Sequence, residues 1–259
     1  MDDGYRSPLV PGLKSSREAE RLADELAFAA TRLRVLGSDP PGLYREVADT
    51  AEDVEERTWL AFLIAYLAPL EEEDPFAAIG ASRTSWSSGE RPTLPDARTG
   101  PRSAHDPADP DRTVDAYRAW ASRAGSQAAA FRGEAEWTPE RRFARAFERL
   151  ALPGLHRDAR FELLVSLGRL GVYDLRPGAL AFGGSGEVTV AAKRALGIGD
   201  TMLLERRAAQ LAADCGIPLG ALDLGFYNWE RGDRATVGLG PGAEPDPELQ
   251  QAVQAAMGI

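Results

Sequence analysis

The chain has 259 residues, 44% of them hydrophobic and 27% charged, which is the composition of a globular protein with a substantial core. Its formal net charge of −10 disfavours broad, non-specific attraction to nucleic acid. The longest apolar run, WLAFLIAYLA, is too short to cross a bilayer and the N-terminus has no apolar signal core, so we expect a cytoplasmic protein without membrane contact. Cys215 is the only cysteine, which excludes an internal disulfide and a cysteine metal site.

Helical patterns fill the first part of the chain. Ser15-Ser-Arg-Glu18 is a capping box, and the apolar spacing after it predicts a helix that ends near Leu36, before Gly37. A second helical region is predicted over residues 42–70, with a break near residues 49–53. Its later half, TWLAFLIAYL, is apolar on every side, so we expect the most buried helix of this region there.

Residues 80–112 differ in composition from the segment before them. Pro, Ser, Gly and mixed charges dominate without periodicity, which predicts a flexible loop. Beyond the loop, a helix is predicted over residues 113–131. Thr138-Pro139-Glu140 then has the N-cap, first-turn proline and first-turn acid of another helix start.

The helix that follows Thr138 carries a row of arginines. Arg141, Arg145 and Arg149 are four residues apart, so they lie on the same side of the helix. Two readings are open. The row is either a solvated face partly balanced by neighbouring glutamates, or a ridge that faces phosphate groups.

A turn at Pro153 and Gly154 leads into a helix predicted over residues 156–170. Residues 172–182, VYDLRPGALAF, are two short apolar pieces about a Pro-Gly pair suited to a type II turn, and they predict one small β-hairpin. The rest of the chain is helical again. Helices are predicted over residues 188–196, 200–215, 218–229 and 248–257, so the fold is expected to be mainly all-α.

The glycine-rich stretch FGGSGEVTVAAKR, residues 182–194, precedes one of these helices. It is not a nucleotide-binding P-loop, because that loop needs Gly-Lys-Ser/Thr and here Glu187 follows Gly186. Glu187 lies at the start of the helix, where the macrodipole favours a carboxylate, and Lys193 and Arg194 lie near its end, where cations are favoured. The favourable positions of these charges on the helix dipole are enough to explain them as structural residues. A functional reading is also open, because the helix carries an acid and a lysine that could take part in catalysis.

Lysine is rare in this chain, because only two of the 30 Lys and Arg residues are lysines, and Lys193 is one of them. A lysine ammonium can lose its proton in a buried site, whereas an arginine guanidinium effectively cannot. Lys193 is therefore a candidate catalytic residue, although a surface lysine without a role also fits the sequence.

The order of these elements resembles the helix-hairpin-helix DNA glycosylase superfamily. The hairpin of that family, of the form Leu-Pro-Gly-x-Gly, donates backbone amides to a DNA phosphate. Residues 152–156, LPGLH, match its first three positions and have His156 in place of the second glycine. In many lyase-type members a lysine follows shortly afterwards, but the nearest position here is Asp158, so that nucleophile is absent.

The resemblance implies a two-lobed helical bundle with a substrate cleft between the lobes. It divides the chain into an N-terminal helical lobe (1–79), the flexible loop (80–112), a helix-hairpin-helix-like lobe (113–231), and a C-terminal tail with a short helix (232–259). Family members carry a catalytic aspartate at a turn that leads into a helix. Matching the helices puts Glu187 at or next to that place, with Asp174 as the competing candidate.

The run from Glu187 to Trp229 looks like one branch of this superfamily, the α-glutamyl/putrescinyl thymine pyrophosphorylases. Those proteins are proposed to act on hypermodified thymine in DNA, displacing pyrophosphate from a 5-hydroxymethyl group and attaching an amine or an amino acid. The likeness covers roughly Pro139 to Trp229, and it reaches the N-terminal lobe only through the helical pattern. It implies DNA as the partner, with a modified pyrimidine flipped into the cleft.

The resemblance also implies roles for individual residues. Glu187, Lys193 and Asp174 would be catalytic, with Lys193 either paired with Glu187 or facing the leaving group. The DNA-binding set would be Gly154, His156, Arg157, Arg160, Arg141, Arg145, Arg149 and Arg194. Tyr227, Asn228 and Trp229 would line a pocket for the base, although core packing explains this trio as well. No cofactor and no metal site is indicated, and the oligomeric state stays open.

Two other classes of function fit the same helical pattern. The protein is then a non-catalytic module that binds nucleic acid or protein, with Glu187 and Lys193 as a structural ion pair. The acidic net charge favours a third reading, a helical interaction domain with no nucleic-acid role, which predicts no salt-dependent retention of DNA.

Overall fold

The protein is described by a computed structural model that covers residues 2–94 and 97–259. Twelve α-helices and no β-strand lie within those ranges, so the all-α prediction is confirmed. The first six helices are α1 (Ser16–Ser38), α2 (Leu43–Ala48), α3 (Val54–Leu67), α4 (Ala77–Ser82), α5 (Arg112–Arg123) and α6 (Gln127–Arg132). The other six are α7 (Pro139–Arg149), α8 (Arg157–Arg169), α9 (Glu187–Leu196), α10 (Thr201–Asp214), α11 (Ala221–Arg231) and α12 (Pro247–Met257).

The chain folds into two compact units, each built from segments that are distant in sequence. Unit 1 contains the N-terminal segment up to Arg34, with Ala179–Ala235 and Glu244–Ile259. Unit 2 contains Val35–Gly178 and Thr236–Ala243. The four-segment division of the chain given by the resemblance stays a prediction.

Unit 2 is organised around α3, which packs against α2, α6 and α8. Every residue of α3 from Arg57 to Leu67 is buried, as the all-round apolar sequence predicts. The predicted break before this helix is also confirmed, because Asp53 begins α3 by accepting a hydrogen bond from the Glu55 amide at 2.8 Å. Aromatic side chains dominate the surrounding core. The rings of Phe62 and Tyr117 stack with centroids 3.8 Å apart.

Unit 1 is built on the packing of α9 against α10 and α11. Gly225 of α11 allows close approach to α1, since a Cβ at this position would lie 2.7 Å from the Leu26 side chain and 3.2 Å from the Glu25 carbonyl oxygen. Trp229 is buried on the same helix and donates its indole N–H to the Glu18 carbonyl at 3.2 Å. Asp200 caps α10 by accepting a hydrogen bond from the Leu203 amide at 2.9 Å.

The predicted β-hairpin over residues 172–182 is wrong, because that segment contains no strand. Its amides find partners other than a facing strand. Those of Leu180 and Phe182 donate to the two carboxylate oxygens of Glu205, at 2.7 and 2.8 Å. The Arg176 amide donates to the Pro139 carbonyl at 3.4 Å.

Two helix predictions need smaller corrections. The helix predicted over residues 113–131 is interrupted between α5 and α6, where Gly125 has φ +92° and Ser126 caps α6 by accepting from the Ala129 amide at 3.0 Å. The short helix α4 was not predicted, because six residues without a capping side chain leave little pattern in the sequence.

The segment predicted as a flexible loop, residues 80–112, has no helix between Ser82 and Arg112 in its described part, and its residues 95 and 96 lie outside the described ranges. One side chain of α3 holds its first half. Glu56 accepts from the Ser85 hydroxyl at 2.6 Å, the Trp86 amide at 2.7 Å and the Ser87 amide at 3.0 Å. Among the described helices, none is long and apolar enough to span a bilayer.

Candidate functional site

The helices α7 and α8 pack against each other and are joined by a short turn, residues 150–156, which we call the Pro-Gly turn. The start of α7 is as predicted, because the Thr138 hydroxyl accepts from the Arg141 amide at 3.3 Å and Pro139 occupies the first turn. His156 caps α8, where its Nδ1 accepts from the Ala159 amide at 3.4 Å. A ring nitrogen that accepts carries no proton, so His156 Nε2 is the protonated atom and donates to the Ser103 carbonyl at 2.9 Å.

Gly154 is required at its place in the Pro-Gly turn for two reasons. Its φ is +79°, in the left-handed region that residues with a Cβ rarely adopt. A Cβ there would also collide with the Thr113 hydroxyl, which donates to the Pro153 carbonyl at 3.1 Å. The second glycine of the family pattern is not needed, because His156 has an extended backbone with φ −70° and ψ 170°.

The Pro-Gly turn contains two backbone donors that make no hydrogen bond within the described part of the chain. Gly154 and His156 are both exposed, and their N–H groups have no acceptor among the residues that the structure describes. The neighbouring Leu155 amide, by contrast, is used inside the turn, where it donates to the Leu152 carbonyl at 3.1 Å. Two free N–H groups beside the positive end of a helix suit an anion such as a phosphate group.

The two arginines of the first turns of α8 are engaged with the protein itself. Arg157 pairs with Asp158 at 2.9 Å and lies 4.8 Å above the Phe161 ring. Arg160 donates to the Phe147 carbonyl at 3.1 Å and lies 4.4 Å above the Phe147 ring. A phosphate that binds at the turn would therefore meet cations already held in place by carbonyl, carboxylate and aromatic groups.

Asp158 is the ion-pair partner of Arg157. Burial on its own would raise the pKa of Asp158, but the positive charges of Arg102 and Arg157 hold this pKa below its usual value. The ionised carboxylate therefore contributes stability above the pKa of an unfolded aspartate, about 3.9, and that contribution is lost as the pH falls through the lower pKa of the folded state.

We expect Asp158→Asn to be less stable than the wild type at pH 6. The difference should shrink as the pH falls from about 4 through the lower pKa of the folded carboxyl, because the wild type then loses its charge at this position. Urea unfolding at pH 6, 4 and 3 measures it. Asp109→Asn is a matched control, because Asp109 is exposed and its carboxylate has no hydrogen-bond or ion-pair partner among the residues that the structure describes. A stability difference for Asp158→Asn that does not change with pH would contradict this account.

The arginine row on α7 is exposed and partly stacked on an aromatic ring. Arg141 and Arg149 lie 5.2 and 5.8 Å from the centre of the Trp137 ring. Arg145 pairs with Glu148 at 2.9 Å, and its side chain keeps half of its accessible surface. The solvated-face reading and the phosphate-facing reading are both compatible with these positions, because exposed cations serve either.

Asp174, the competing catalytic candidate, belongs to the same unit as the Pro-Gly turn. Its carboxylate is 70% exposed and pairs at 2.8 Å with Arg142, which also donates to the Ala135 carbonyl at 3.2 Å. Asp174 lies in a surface depression of about 490 Å³, which we call the Asp174 depression. Its other lining residues are Arg132, Gly133, Ala135, Arg142, Val172 and Tyr173.

Sequence reasoning did not identify Arg132, Arg142 and Tyr173 as neighbours of Asp174. Burial raises the pKa of Tyr173 to about 12, and its hydroxyl lies 2.6 Å from the Thr58 hydroxyl. The tyrosine therefore stays protonated at neutral pH. The sequence signal for this cluster is weak, since the residues come from three separate segments with no shared motif.

Glu187 is the first residue of α9, as predicted, and it pairs with Arg231 of α11 at 3.1 Å. The predicted ion pair between Glu187 and Lys193 is not formed. Six residues of helix separate the two, which places them about 120° apart around its axis. Arg194 is likewise engaged, with Glu230 at 3.1 Å and the Trp229 ring at 3.9 Å.

The structure assigns the predicted catalytic residues to different units. Glu187 and Lys193 belong to unit 1, whereas Asp174 and the Pro-Gly turn belong to unit 2. Within its own unit, Asp174 shares a compact body with the exposed amides of Gly154 and His156.

The residues predicted to line a base pocket are buried inside unit 1. Tyr227, Asn228 and Trp229 are 3%, 1% and 1% exposed. The Asn228 side chain accepts from the Ala235 amide at 3.0 Å and donates to its carbonyl at 3.2 Å. In this arrangement the trio packs the core, which is the alternative that the sequence left open, and a role in base binding stays a prediction.

Comparisons of the sequence and the structure with known proteins found no match. The chain matches no protein family, no curated protein and no solved structure. Within the described residues, no group of three or more His, Cys, Asp or Glu side chains is placed to hold a metal ion.

Proposed function

We propose that the protein acts on a base in DNA, on a modified pyrimidine flipped out of the duplex, and that the Pro-Gly turn holds the DNA backbone. The observation that carries the proposal is that two exposed residues before α8, Gly154 and His156, have backbone N–H groups without an acceptor among the described residues. Amides in such a turn bind a phosphate oxygen without reading the base sequence, so they fix the register of the duplex.

The arginine row on α7 extends this surface away from the turn. Arg141, Arg145 and Arg149 are exposed on the helix that leads into the turn. The guanidinium groups of Arg141 and Arg149 lie near the Trp137 ring. Contacts of this kind release counterions from DNA, so the affinity they supply falls as salt is added. A local basic surface therefore allows DNA binding despite the net charge of −10.

Two acids compete for the catalytic role, which under this proposal is that of general acid/base or electrostatic stabiliser. Glu187 has the better place in the resemblance, at the start of a helix. Asp174 belongs to the same unit as the turn, and its exposed carboxylate opens onto the Asp174 depression beside Arg142. Either carboxylate needs a partly dehydrated setting to act as an acid or base at neutral pH, which a bound DNA strand would supply.

The second candidate function is a non-catalytic binding module. Its support is the pairing of Glu187 with Arg231 and the burial of Tyr227, Asn228 and Trp229, which together give these four predicted site residues structural partners. This module predicts DNA or protein binding without any chemical change in the partner.

The test of the binding step compares two double variants that carry the same change of charge. Arg145→Gln with Arg149→Gln removes two arginines from α7, and Arg206→Gln with Arg207→Gln removes two exposed arginines from α10. Fluorescence anisotropy with a labelled duplex is recorded between about 50 mM and about 200 mM salt, the range over which phosphate contacts weaken strongly.

We expect the α7 variant to bind about tenfold more weakly at low salt and to have a shallower salt dependence, since each lost phosphate contact lowers the slope by about 1. The α10 variant should stay within about twofold of the wild type. Equal weakening in both variants would mean that only the total charge matters. If the wild type shows no salt-dependent binding to the duplex, both the proposed action on DNA and the alternative of a DNA-binding module are wrong.

A further inference from the structure

Unit 2 contains a second cavity, of about 380 Å³, which we call the Trp59 pocket. The side of α3 that forms its wall contributes Trp59, Leu60 and Leu63, all of them buried apolar residues. The remaining lining residues are Glu46, Glu52, Glu56, Arg57, Arg83, Thr84 and Ser85. Cavities of a few hundred Å³ with apolar walls and a few polar groups are the usual sites for small ligands.

Arg57 is the unusual member of this lining. Arg57 is only 8% exposed, and its Nε donates to the Val47 carbonyl at 2.7 Å. Its Nη2 is shielded from solvent and has no acceptor among the residues that the structure describes. No carboxylate of the described chain lies within ion-pair distance of this guanidinium. Burial of a positive charge without a counter-ion is costly, so the site favours an anion that supplies the missing acceptor.

The nearby glutamates do not supply that acceptor, because two of the three are occupied elsewhere. Glu56 binds the Ser85 hydroxyl and the Trp86 and Ser87 amides, which hold its pKa below the usual value although burial opposes this. Glu46 pairs with Arg83 at 2.6 Å. Glu52, the third, is exposed.

We propose that the Trp59 pocket binds a small organic monocarboxylate with an apolar body. The carboxylate would pair with the Nη groups of Arg57, since its Nε is already used, and a small rotation of the guanidinium would turn the shielded Nη2 toward it. The apolar body would lie against Trp59, Leu60 and Leu63. Two arginines and three glutamates line the pocket, so a dianion such as phosphate meets more repulsion there than a monoanion does. This proposal does not depend on the proposal that the protein acts on DNA.

The test uses 3-phenylpropionate and its neutral analogue 3-phenylpropionamide as probes, with inorganic phosphate as a third arm. Binding to the full chain is followed through the indole N–H resonance of Trp59 in nitrogen-15-labelled protein, assigned with a Trp59→Phe variant. This N–H donates to the Thr84 carbonyl at 2.8 Å, so it reports on two lining residues at once. We expect a saturable shift with the carboxylate, and binding at least about tenfold weaker for the amide and for phosphate, because the loss of a charge-assisted hydrogen bond costs about that factor.

Two variants locate the effect. Arg57→Gln should weaken 3-phenylpropionate by about tenfold or more, whereas Arg45→Gln, an exposed arginine outside the pocket, should leave the affinity unchanged. If Arg57→Gln does not fold, as judged by its circular dichroism melt, the comparison of acid with amide in the wild type decides alone. Equal binding of acid and amide, tighter binding of phosphate, or a folded Arg57→Gln with wild-type affinity would each overturn the proposal.

Discussion

Replacing Phe62 by alanine should lower the free energy of unfolding by about 3–5 kcal/mol, the largest effect that we expect from a single substitution. Phe62 is fully buried on α3, and its ring stacks on Tyr117 at 3.8 Å and on Tyr66 at 5.7 Å. The Tyr117 hydroxyl donates to the Gln127 side chain at 2.7 Å, which restricts the movement of this ring into the space left by Phe62. The lost van der Waals contacts and the remaining cavity therefore both lower the free energy of unfolding.

Urea unfolding followed by circular dichroism measures this prediction. Val190→Ala is the control, because Val190 is 41% exposed on α9 and its truncation should cost less than about 0.5 kcal/mol. A loss of less than about 1 kcal/mol for Phe62→Ala would mean that α3 is not the centre of the core of unit 2.

Replacing Gly154 by alanine should cost about 2–4 kcal/mol of stability, the second largest effect. Left-handed backbone at φ +79° costs a residue with a Cβ about 1 kcal/mol, and the collision with Thr113 adds the rest, since either the turn or α5 must shift. The same shift should weaken any binding that uses the Gly154 and His156 amides, because their positions are set by the turn.

Gly184→Ala separates the two causes. Gly184 also has a positive φ, of +61°, but nothing lies within 4 Å of the added Cβ, so only the backbone cost of about 1 kcal/mol should remain. Adding Thr113→Ala to Gly154→Ala should recover part of the loss by removing the collision, although the hydrogen bond to Pro153 is lost with it. Equal costs for the two glycine substitutions would contradict the packing argument at the turn.

Local chemistry in the sequence was a good guide to where helices begin and end. Thr138 caps α7 as predicted, and the helix break predicted near residues 49–53 is present, with Asp53 as the cap of α3. The burial of α3 from Arg57 to Leu67 was also readable, because a helical segment that is apolar on every side has no face to give to solvent. Both results rest on interactions between residues that are near in sequence or on one helix.

What the sequence could not give is pairing between distant segments. The hairpin failed because Glu205, more than twenty residues away, accepts the amides that a strand partner would have used. Arg231 is the partner of Glu187 across 44 positions, and Arg142 is the partner of Asp174 across 32. No spacing rule of helices or turns reaches that far.

The candidate sites divide in the same way. The Pro-Gly turn was readable as a local motif, and Gly154 has the backbone that this motif needs. The Asp174 depression and the Trp59 pocket were not readable, because each is lined by residues from several separate segments.

The most direct test of chemistry on DNA is mass spectrometry of a duplex after incubation with the protein. Parallel duplexes carry thymine, 5-hydroxymethyluracil or its pyrophosphorylated form at one position, with a primary amine or an amino acid supplied. We expect release or a mass change of the modified base alone. This change should be lost in Glu187→Gln or in Asp174→Asn and kept in Glu148→Gln, whose side chain lies exposed on α7. Unchanged mass on every duplex, or turnover that persists undiminished in both acid variants, would contradict it.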